Sequence, residues 1–135
     1  MNDIELLTHY INEESLLVGI EDKAEPFQFM IHNEAGTLIA GVNGSLVYGS
    51  VYTDQLWVRK DYRKKGMGRD LMEKVHQLGR SKGCTMATVS TMSFQGVVTF
   101  YESLGYTCDF ERSGYSNNSR CLFLVKKLSD TTQEK

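Results

Sequence analysis

The sequence predicts an α+β domain built on one mixed sheet with helices on its faces. Segments of helical and of alternating apolar periodicity follow one another as helix, three strands, helix, strand, helix and two strands. The chain has 135 residues, of which 41% are hydrophobic and 24% charged, and these values are ordinary for a folded domain. We therefore predict a single domain over residues 1–128, followed by a polar tail over 129–135.

The first half of the chain is predicted to hold a short helix and three strands. Apolar residues at helical spacing between positions 6 and 11 indicate the helix, and alternation over 27–31 indicates the first strand. Two strands over 37–48 and 50–59 follow, with a turn between them. Asn43-Gly44 also has hairpin composition. A turn there would leave a strand of only about four residues, so we favour a bulge.

The second half alternates helices and strands. A helix with one apolar face is predicted from Met67 to the glycine at its end, Gly83. A strand over 85–90, a second amphipathic helix over 94–104 and two strands, over 106–112 and 120–128, complete the order. The two last strands flank a polar loop.

Charge and hydropathy exclude several functions. The net charge of -2 gives no overall basic footprint for nucleic acid or an anionic membrane. No apolar run approaches the ~20 residues of a membrane span, and the acidic start lacks the features of a secretion signal. A cytoplasmic protein is the expectation.

The cysteines and histidines predict neither a disulfide framework nor a metal site. The three cysteines are odd in number and widely spaced, as expected of reduced residues packed in a core or strand, and the three histidines lack metal-ligand spacing and are expected at the surface or on strands. The residues are Cys84, Cys108, Cys121, His9, His32 and His76.

A basic, glycine-containing turn is the most informative feature of the chain. Six of its 15 cations fall between Arg59 and Arg69, where a strand leads into the helix at Met67. The first turn of a helix has unpaired N–H groups that receive phosphates, and Gly66 and Gly68 let a phosphate approach the backbone closely. We predict that this turn suits a pyrophosphate.

Other interpretations of the turn were weighed. A Walker P-loop requires Lys and Ser or Thr after its second glycine, whereas Arg69-Asp70 follows here. The Rossmann fingerprint matches only its first two glycines, because position 71 is Leu. A solvated basic loop that begins a helix is the remaining alternative, since Gly and Lys are common in loops.

Three motifs resemble the GNAT superfamily of N-acetyltransferases, in the form of a small bacterial-type single-domain member. Residues 63–68, Arg-Lys-Lys-Gly-Met-Gly, look like its [RQ]-x-x-G-x-[GA] motif. Leu56-Trp57-Val58 resembles the strand ending before that motif, and residues 100–106 resemble its F-Y-x-x-x-G-[FY] segment. The resemblance extends from about residue 28 to 128. It implies the acyl-CoA N-acyltransferase fold, with a central, mostly antiparallel sheet flanked by helices.

The resemblance also implies acetyl transfer from acetyl-CoA to an amine, without a metal. Backbone N–H groups of residues 64–69 would hold the pyrophosphate, and the splayed strand end at 56–58 would pair with the pantetheine arm and polarise the thioester carbonyl. The implied cofactor-binding residues are Leu56, Trp57, Val58, Arg63, Lys64, Lys65, Gly66, Met67, Gly68 and Arg69. Trp57 is either a core anchor or a border of the cofactor, and the core is favoured.

Two side chains are candidates for proton transfer. Tyr101 occupies the family position of the acid that protonates the departing thiolate, although its spacing also suits a core aromatic. Asp54 is the candidate base, because strand alternation would place it, with Tyr52, on the face of Leu56 and Val58. An exposed carboxylate with water as the base is the alternative.

One position departs from the family pattern. Many members have Asn seven residues before the Tyr of the F-Y pair, and here that position holds Phe94. Ser93 or Gln95 could supply the polar contact instead.

The leading hypothesis is an N-acetyltransferase acting on a primary amine of a small molecule or peptide by direct attack in a ternary complex. The alternative is a non-catalytic acyl-CoA-binding or regulatory module of the same fold. A nucleic-acid-binding domain is disfavoured by the acidic balance of the chain. A homodimer is plausible, because strand edges in this fold often pair between subunits.

Overall fold

The computed structural model describes residues 1–128, so the predicted tail over 129–135 lies outside the described residues. The described part contains six strands and three α-helices, which follow the predicted order. They are α1 (Asp3–Leu17), β1 (Glu25–His32), β2 (Leu38–Val47), β3 (Ser50–Val58), α2 (Met67–Ser81), β4 (Met86–Met92), α3 (Val98–Ser103), β5 (Thr107–Tyr115) and β6 (Ser119–Lys127).

All six strands form one sheet in the order β1-β2-β3-β4-β6-β5. Every neighbouring pair is antiparallel except β3 and β4, which run parallel and are connected by α2. This mostly antiparallel sheet with helices confirms the predicted fold class.

The sheet opens between β3 and β4. These strands pair only from Ser50 to Thr53, opposite 86–89, and β4 then continues along β6 as far as Met92. At the same level β3 contains an extra residue, because Asn43 of β2 pairs with Gln55 and Gly44 pairs with Thr53. The bulge favoured at Asn43-Gly44 is therefore confirmed. The residue without a partner is Asp54, on β3.

The bulge changes which face of the sheet each β3 side chain occupies. Thr53 Oγ1 lies 4.0 Å from Met72 Sδ on α2, and a Cβ on Gly68 of the same helix would come within 3.9 Å of Val58. Side chains five residues apart thus face the same helix, which strict alternation does not allow. The prediction that Tyr52 and Asp54 share the face of Val58 is wrong.

Helix α2 packs its buried side against the sheet and creates the main core. Leu71, Met72 and Val75 are at most 1% exposed, and Gly79 fits directly against β3, where an added Cβ would meet Val51 at 2.8 Å. The helix ends as predicted, with Gly83 in the left-handed conformation (φ +76°) just after its C-cap.

His76 is buried in this core, so its predicted surface position is wrong. It is 1% exposed, and its Nε2 lies 2.8 Å from the Tyr106 hydroxyl. Burial, with a smaller contribution from the charge of Lys126, lowers the pKa of His76 to about 4. The imidazole is therefore neutral in the folded protein at pH 7.

We expect His76 to make stability depend on pH. Between pH 6.5 and 4 the unfolded chain protonates this histidine while the folded protein does not, so the free energy of unfolding falls as the pH falls. The loss reaches on the order of 3 kcal/mol by pH 4, at 1.36 kcal/mol per pKa unit. His76→Gln should flatten this dependence in urea unfolding, although it lowers stability at pH 7. His32→Gln, at an exposed position, is the matched control, and an equal pH slope in wild type and His76→Gln would contradict the assignment.

The structure differs from the predictions in four other places. The second amphipathic helix is interrupted by Gly96 (φ +68°), which separates a 3₁₀ turn over Ser93–Gln95 from α3. Strand β5 continues to Tyr115, into the predicted polar loop. Cys108 is exposed rather than packed. The N-terminal helix is longer than expected, at 15 residues, and buries none of them.

Candidate active site

The opening between β3 and β4 leads into a cavity of about 580 Å³. The end of β3 forms one wall, the loop and first turn of α2 form the floor, and residues around α3 form the opposite wall. Its lining residues are Leu56, Trp57, Val58, Tyr62, Arg63, Lys64, Gly66, Met67, Gly68, Arg69, Gln95, Val97 and Phe100. The cavity thus brings together nine of the ten predicted cofactor-binding residues. Lys65 is the exception, and its ammonium lies 5.8 Å from the centre of the Tyr62 ring.

The first turn of α2 presents backbone donors to this cavity. Gly66 is the N-cap, with φ +88° in the left-handed region, and no side chain caps the helix. The N–H groups of residues 67–69 therefore lack partners within residues 1–128, as at any uncapped helix start. Together with the positive end of the helix dipole they can receive an anion. Glycine at position 66 permits the conformation that aims them.

The loop before α2 is fixed to the end of β3. Arg63 Nε donates a hydrogen bond to the Val58 carbonyl at 2.7 Å, and Arg59 pairs with Asp61 at 2.9 Å. Arg69 donates to the Ser103 hydroxyl at 3.2 Å, which joins the start of α2 to α3. These contacts hold several cations around the cavity.

Trp57 borders the cavity instead of packing in the core. It is 46% exposed, and it lies on β3 beyond the point where β4 leaves the strand. The favoured core position was therefore wrong, and the alternative that Trp57 borders the cofactor site agrees with the structure.

A second cavity of about 300 Å³ continues from the first. Leu56, Trp57 and Gln95 are among the residues that line both. Asp54 and Tyr101 line only the second cavity, so the structure brings the two predicted proton-transfer residues to one space.

Tyr101 is held rigidly at this second cavity. Its side chain is 5% exposed, and its ring makes edge contacts with Phe100 (5.2 Å between centroids) and Tyr106 (5.6 Å). No hydrogen-bond partner of its hydroxyl occurs within the part of the chain that the structure describes. Burial raises the pKa of Tyr101 to about 12, so the phenol keeps its proton at neutral pH.

Gln95 is the polar side chain between the two cavities. Its Oε1 accepts hydrogen bonds from the Met92 N–H at 2.8 Å and from the Thr91 hydroxyl at 3.0 Å. These two bonds orient the amide and leave its NH₂ group without a partner in the described residues. Ser93 is occupied elsewhere, because its hydroxyl accepts from the Arg120 N–H at 2.9 Å. Of the two polar candidates near Phe94, Gln95 is the one that faces the site.

The described residues contain no group of three or more His, Cys, Asp or Glu side chains that could hold a metal ion. Nor does any helix within residues 1–128 have the length and apolar character needed to cross a membrane.

A parallel strand pair that opens at a bulge, beside an uncapped helix start, defines this structure as the acyl-CoA N-acyltransferase fold. The sequence model of the acetyltransferase (GNAT) family matches residues 3–106. The chain belongs to that family, as the three motifs predicted.

Individual relatives agree with this assignment. The chain is 30% identical over 96 residues to a blasticidin-S acetyltransferase of Streptomyces morookaense, which covers 70% of both chains. It is similar in structure to an acetyltransferase of Bacillus cereus, with a TM-score of 0.76, 22% identity and 94% of both chains covered. It also resembles an aminoglycoside 6'-N-acetyltransferase complexed with coenzyme A, with a TM-score of 0.67, 16% identity and coverage of 78% of this chain and 74% of the other.

Proposed function

We propose that the protein transfers an acetyl group from acetyl-CoA to a primary amine of a small molecule or peptide, by direct attack while both substrates are bound. The observation that carries the proposal is the pair of connected cavities. One has donors for a pyrophosphate at the α2 start, and the other has a protonated phenol beside an exposed carboxylate.

The first cavity suits acetyl-CoA for three reasons. The unpaired N–H groups of residues 67–69 and the nearby cations suit a pyrophosphate. Beyond Thr53, the edge of β3 that faces the opening has no strand partner, so the backbone of Leu56–Val58 can pair with an extended amide-containing arm. Gly68 keeps the floor open, because an added Cβ there would come 3.3 Å from Phe100.

In this proposal Tyr101 is the general acid. The amine nitrogen bonds to the thioester carbonyl carbon, the C–S bond breaks, and the departing sulfur takes the phenolic proton. A neutral phenol suits this role because it needs no prior charge, and its pKa of about 12 keeps it protonated until the thiolate forms.

The amine must lose its proton, and Asp54 is the proposed acceptor. It lies at the bulge where β3 leaves β4, lines the same cavity as Tyr101 and is exposed to water. A water molecule beside Asp54 is the alternative base, and Asp54→Asn with a pH profile of kcat/KM distinguishes the two.

The experiment that tests the function measures thiol release from acetyl-CoA with a panel of polyamines, aminoglycosides, nucleoside antibiotics, amino acids and peptides. Acceptor-dependent release, with an acetylated product detected by mass spectrometry, is the expected result. The second candidate, a non-catalytic acyl-CoA-binding module, is favoured by the tight packing of the Tyr101 ring. Binding of CoA without thiol release for any amine would select it.

Gln95 provides a matched test of the contact to the arm. Gln95→Glu keeps an oxygen for the Met92 N–H and the Thr91 hydroxyl but replaces the NH₂ donor with an acceptor. If the donor binds a carbonyl oxygen of the pantetheine arm, the affinity for CoA should fall about tenfold, at about 1.4 kcal/mol per factor of ten. Phe94→Ala, at a 72% exposed neighbour, is the control. Calorimetric Kd values for Gln95→Glu within twofold of wild type would remove Gln95 from the site.

A further inference from the structure

Helix α1 turns its apolar side away from the rest of the chain. Five large apolar side chains of α1 are between 52% and 85% exposed, and no residue of the helix is buried. They are Ile4, Leu7, Tyr10, Ile11 and Leu17. An isolated helix of this length is marginal in water, and most helical stability comes from packing an apolar face. This outer face of α1 therefore has the properties of a contact surface.

The polar side of α1 is attached to the chain's own backbone. Asn12 Nδ2 donates to the Ala24 carbonyl at 2.9 Å, and the Ala24 N–H donates to Asn12 Oδ1 at 2.9 Å. Thr8 and Ser15, on the same side as Asn12, are half-buried. These contacts fix the helix beside the start of β1 with its apolar side outward.

The sheet has an apolar area on the face opposite α2. Leu124 of β6 is in the core, so alternation puts its neighbours Phe123 and Val125 on the opposite face. Phe110 of β5 stacks against Phe123 with 5.7 Å between centroids and is 52% exposed, and Met86 of β4 is 41% exposed. We call Met86, Phe110, Phe123 and Val125 the open-face patch.

The chain's own α1 does not cover this patch. The helix is held at β1, and the strand order places β4, β6 and β5 three to five strands away, at about 4.8 Å per strand. The bonds between Asn12 and Ala24 prevent it from moving across the sheet. A helix from another molecule is under no such constraint.

Charge identifies which surface the helix matches. Helix α1 has four acidic residues and no Lys or Arg, so two α1 helices placed against each other would repel. The open-face patch is flanked by cations. The Arg112 guanidinium lies 5.3 Å above the Phe110 ring, and Lys127 pairs with Met86 across the strands. An acidic, apolar helix and a basic, apolar sheet face are complementary.

We propose that the outer face of α1 docks on the open-face patch of a second copy of this chain. Two-fold symmetry makes the contact twice, once for each helix, and this doubles the buried apolar area. The dimer would cover the exposed apolar surfaces of both copies.

Sedimentation velocity at tens of micromolar protein tests the dimer and both of its surfaces. Wild type should sediment as a dimer, whereas Ile11→Glu on the helix and Phe110→Glu on the patch should each be monomers. His9→Gln, at an exposed polar position of α1, should remain dimeric. A monomeric wild type, or a dimer that survives either glutamate substitution, would overturn the proposal.

Mixing the two variants gives the sharpest test. In a mixed pair, the intact helix of Phe110→Glu meets the intact patch of Ile11→Glu, so one of the two contacts is restored. We expect heterodimers from the mixture, although neither variant dimerises alone. Absence of heterodimers would refute docking of helix on patch. CoA binding, measured on the same samples, reports folding and the proposed function separately, because neither residue lines the cofactor cavity.

Discussion

Tyr101→Phe should reduce kcat by roughly 10²–10⁴, the range expected for loss of a general acid, while the Kd for CoA stays unchanged. The substitution keeps the ring and its edge contacts with Phe100 and Tyr106, so packing is preserved. It deletes only the hydroxyl, which makes no hydrogen bond within residues 1–128. Melting temperature, CoA affinity and turnover should be measured on one preparation, once an acceptor is known.

The neighbouring Tyr106 provides a matched control. Its hydroxyl is buried and bonded to His76 at 2.8 Å, and the residue lines neither cavity described above. Tyr106→Phe should therefore cost about 1 kcal/mol or more of stability and leave kcat nearly intact. Equal turnover of wild type and Tyr101→Phe would remove Tyr101 from the mechanism and leave water as the acid.

Gly66→Asp should abolish tight CoA binding, with the Kd rising by roughly two to three orders of magnitude. A carboxylate at this position faces the proposed pyrophosphate, and two unit charges about 4 Å apart near a protein surface repel by about 4 kcal/mol. The space around Gly66 is open, since an added Cβ would meet no atom within 4 Å. The loss of affinity should shrink at high salt, because exposed charges are screened.

Gly66→Asn separates this charge effect from backbone strain. Asn and Asp have the same shape, and both are tolerated in the left-handed conformation that Gly66 adopts. Gly66→Asn should therefore bind CoA far better than Gly66→Asp in calorimetric titrations. Equal affinities for both variants and wild type would mean that the phosphates are held elsewhere.

The sequence predicted the strand order, the bulge and most of the site because these depend on local patterns. The helix start at Gly66 is encoded by glycines at fixed positions, and residues 56–58 precede it on one continuous strand. Local pattern could not reveal which side chains the bulge redirects. Asp54 is the extra residue itself, so period-two counting through it gave the wrong face for Tyr52.

Three further differences arise from tertiary packing. His76 is buried because α2 packs a wider face on the sheet than the spacing of its aliphatic residues indicated, and Tyr106 supplies a partner for the ring. Trp57 is half exposed because β4 has diverged from β3 at that level. Gln95 is oriented by bonds to Thr91 and Met92, a local arrangement that composition alone did not distinguish from Ser93.

Backbone amide hydrogen exchange with and without CoA would locate the ligand directly. If the β3 edge and the α2 start bind the arm and the pyrophosphate, exchange should slow at residues 56–58 and 64–69 when CoA is added. The exposed strand β5, far along the sheet order from β3, should be unaffected. Protection confined to other segments, or no protection at saturating CoA, would contradict the assignment of this cavity as the acyl-CoA site.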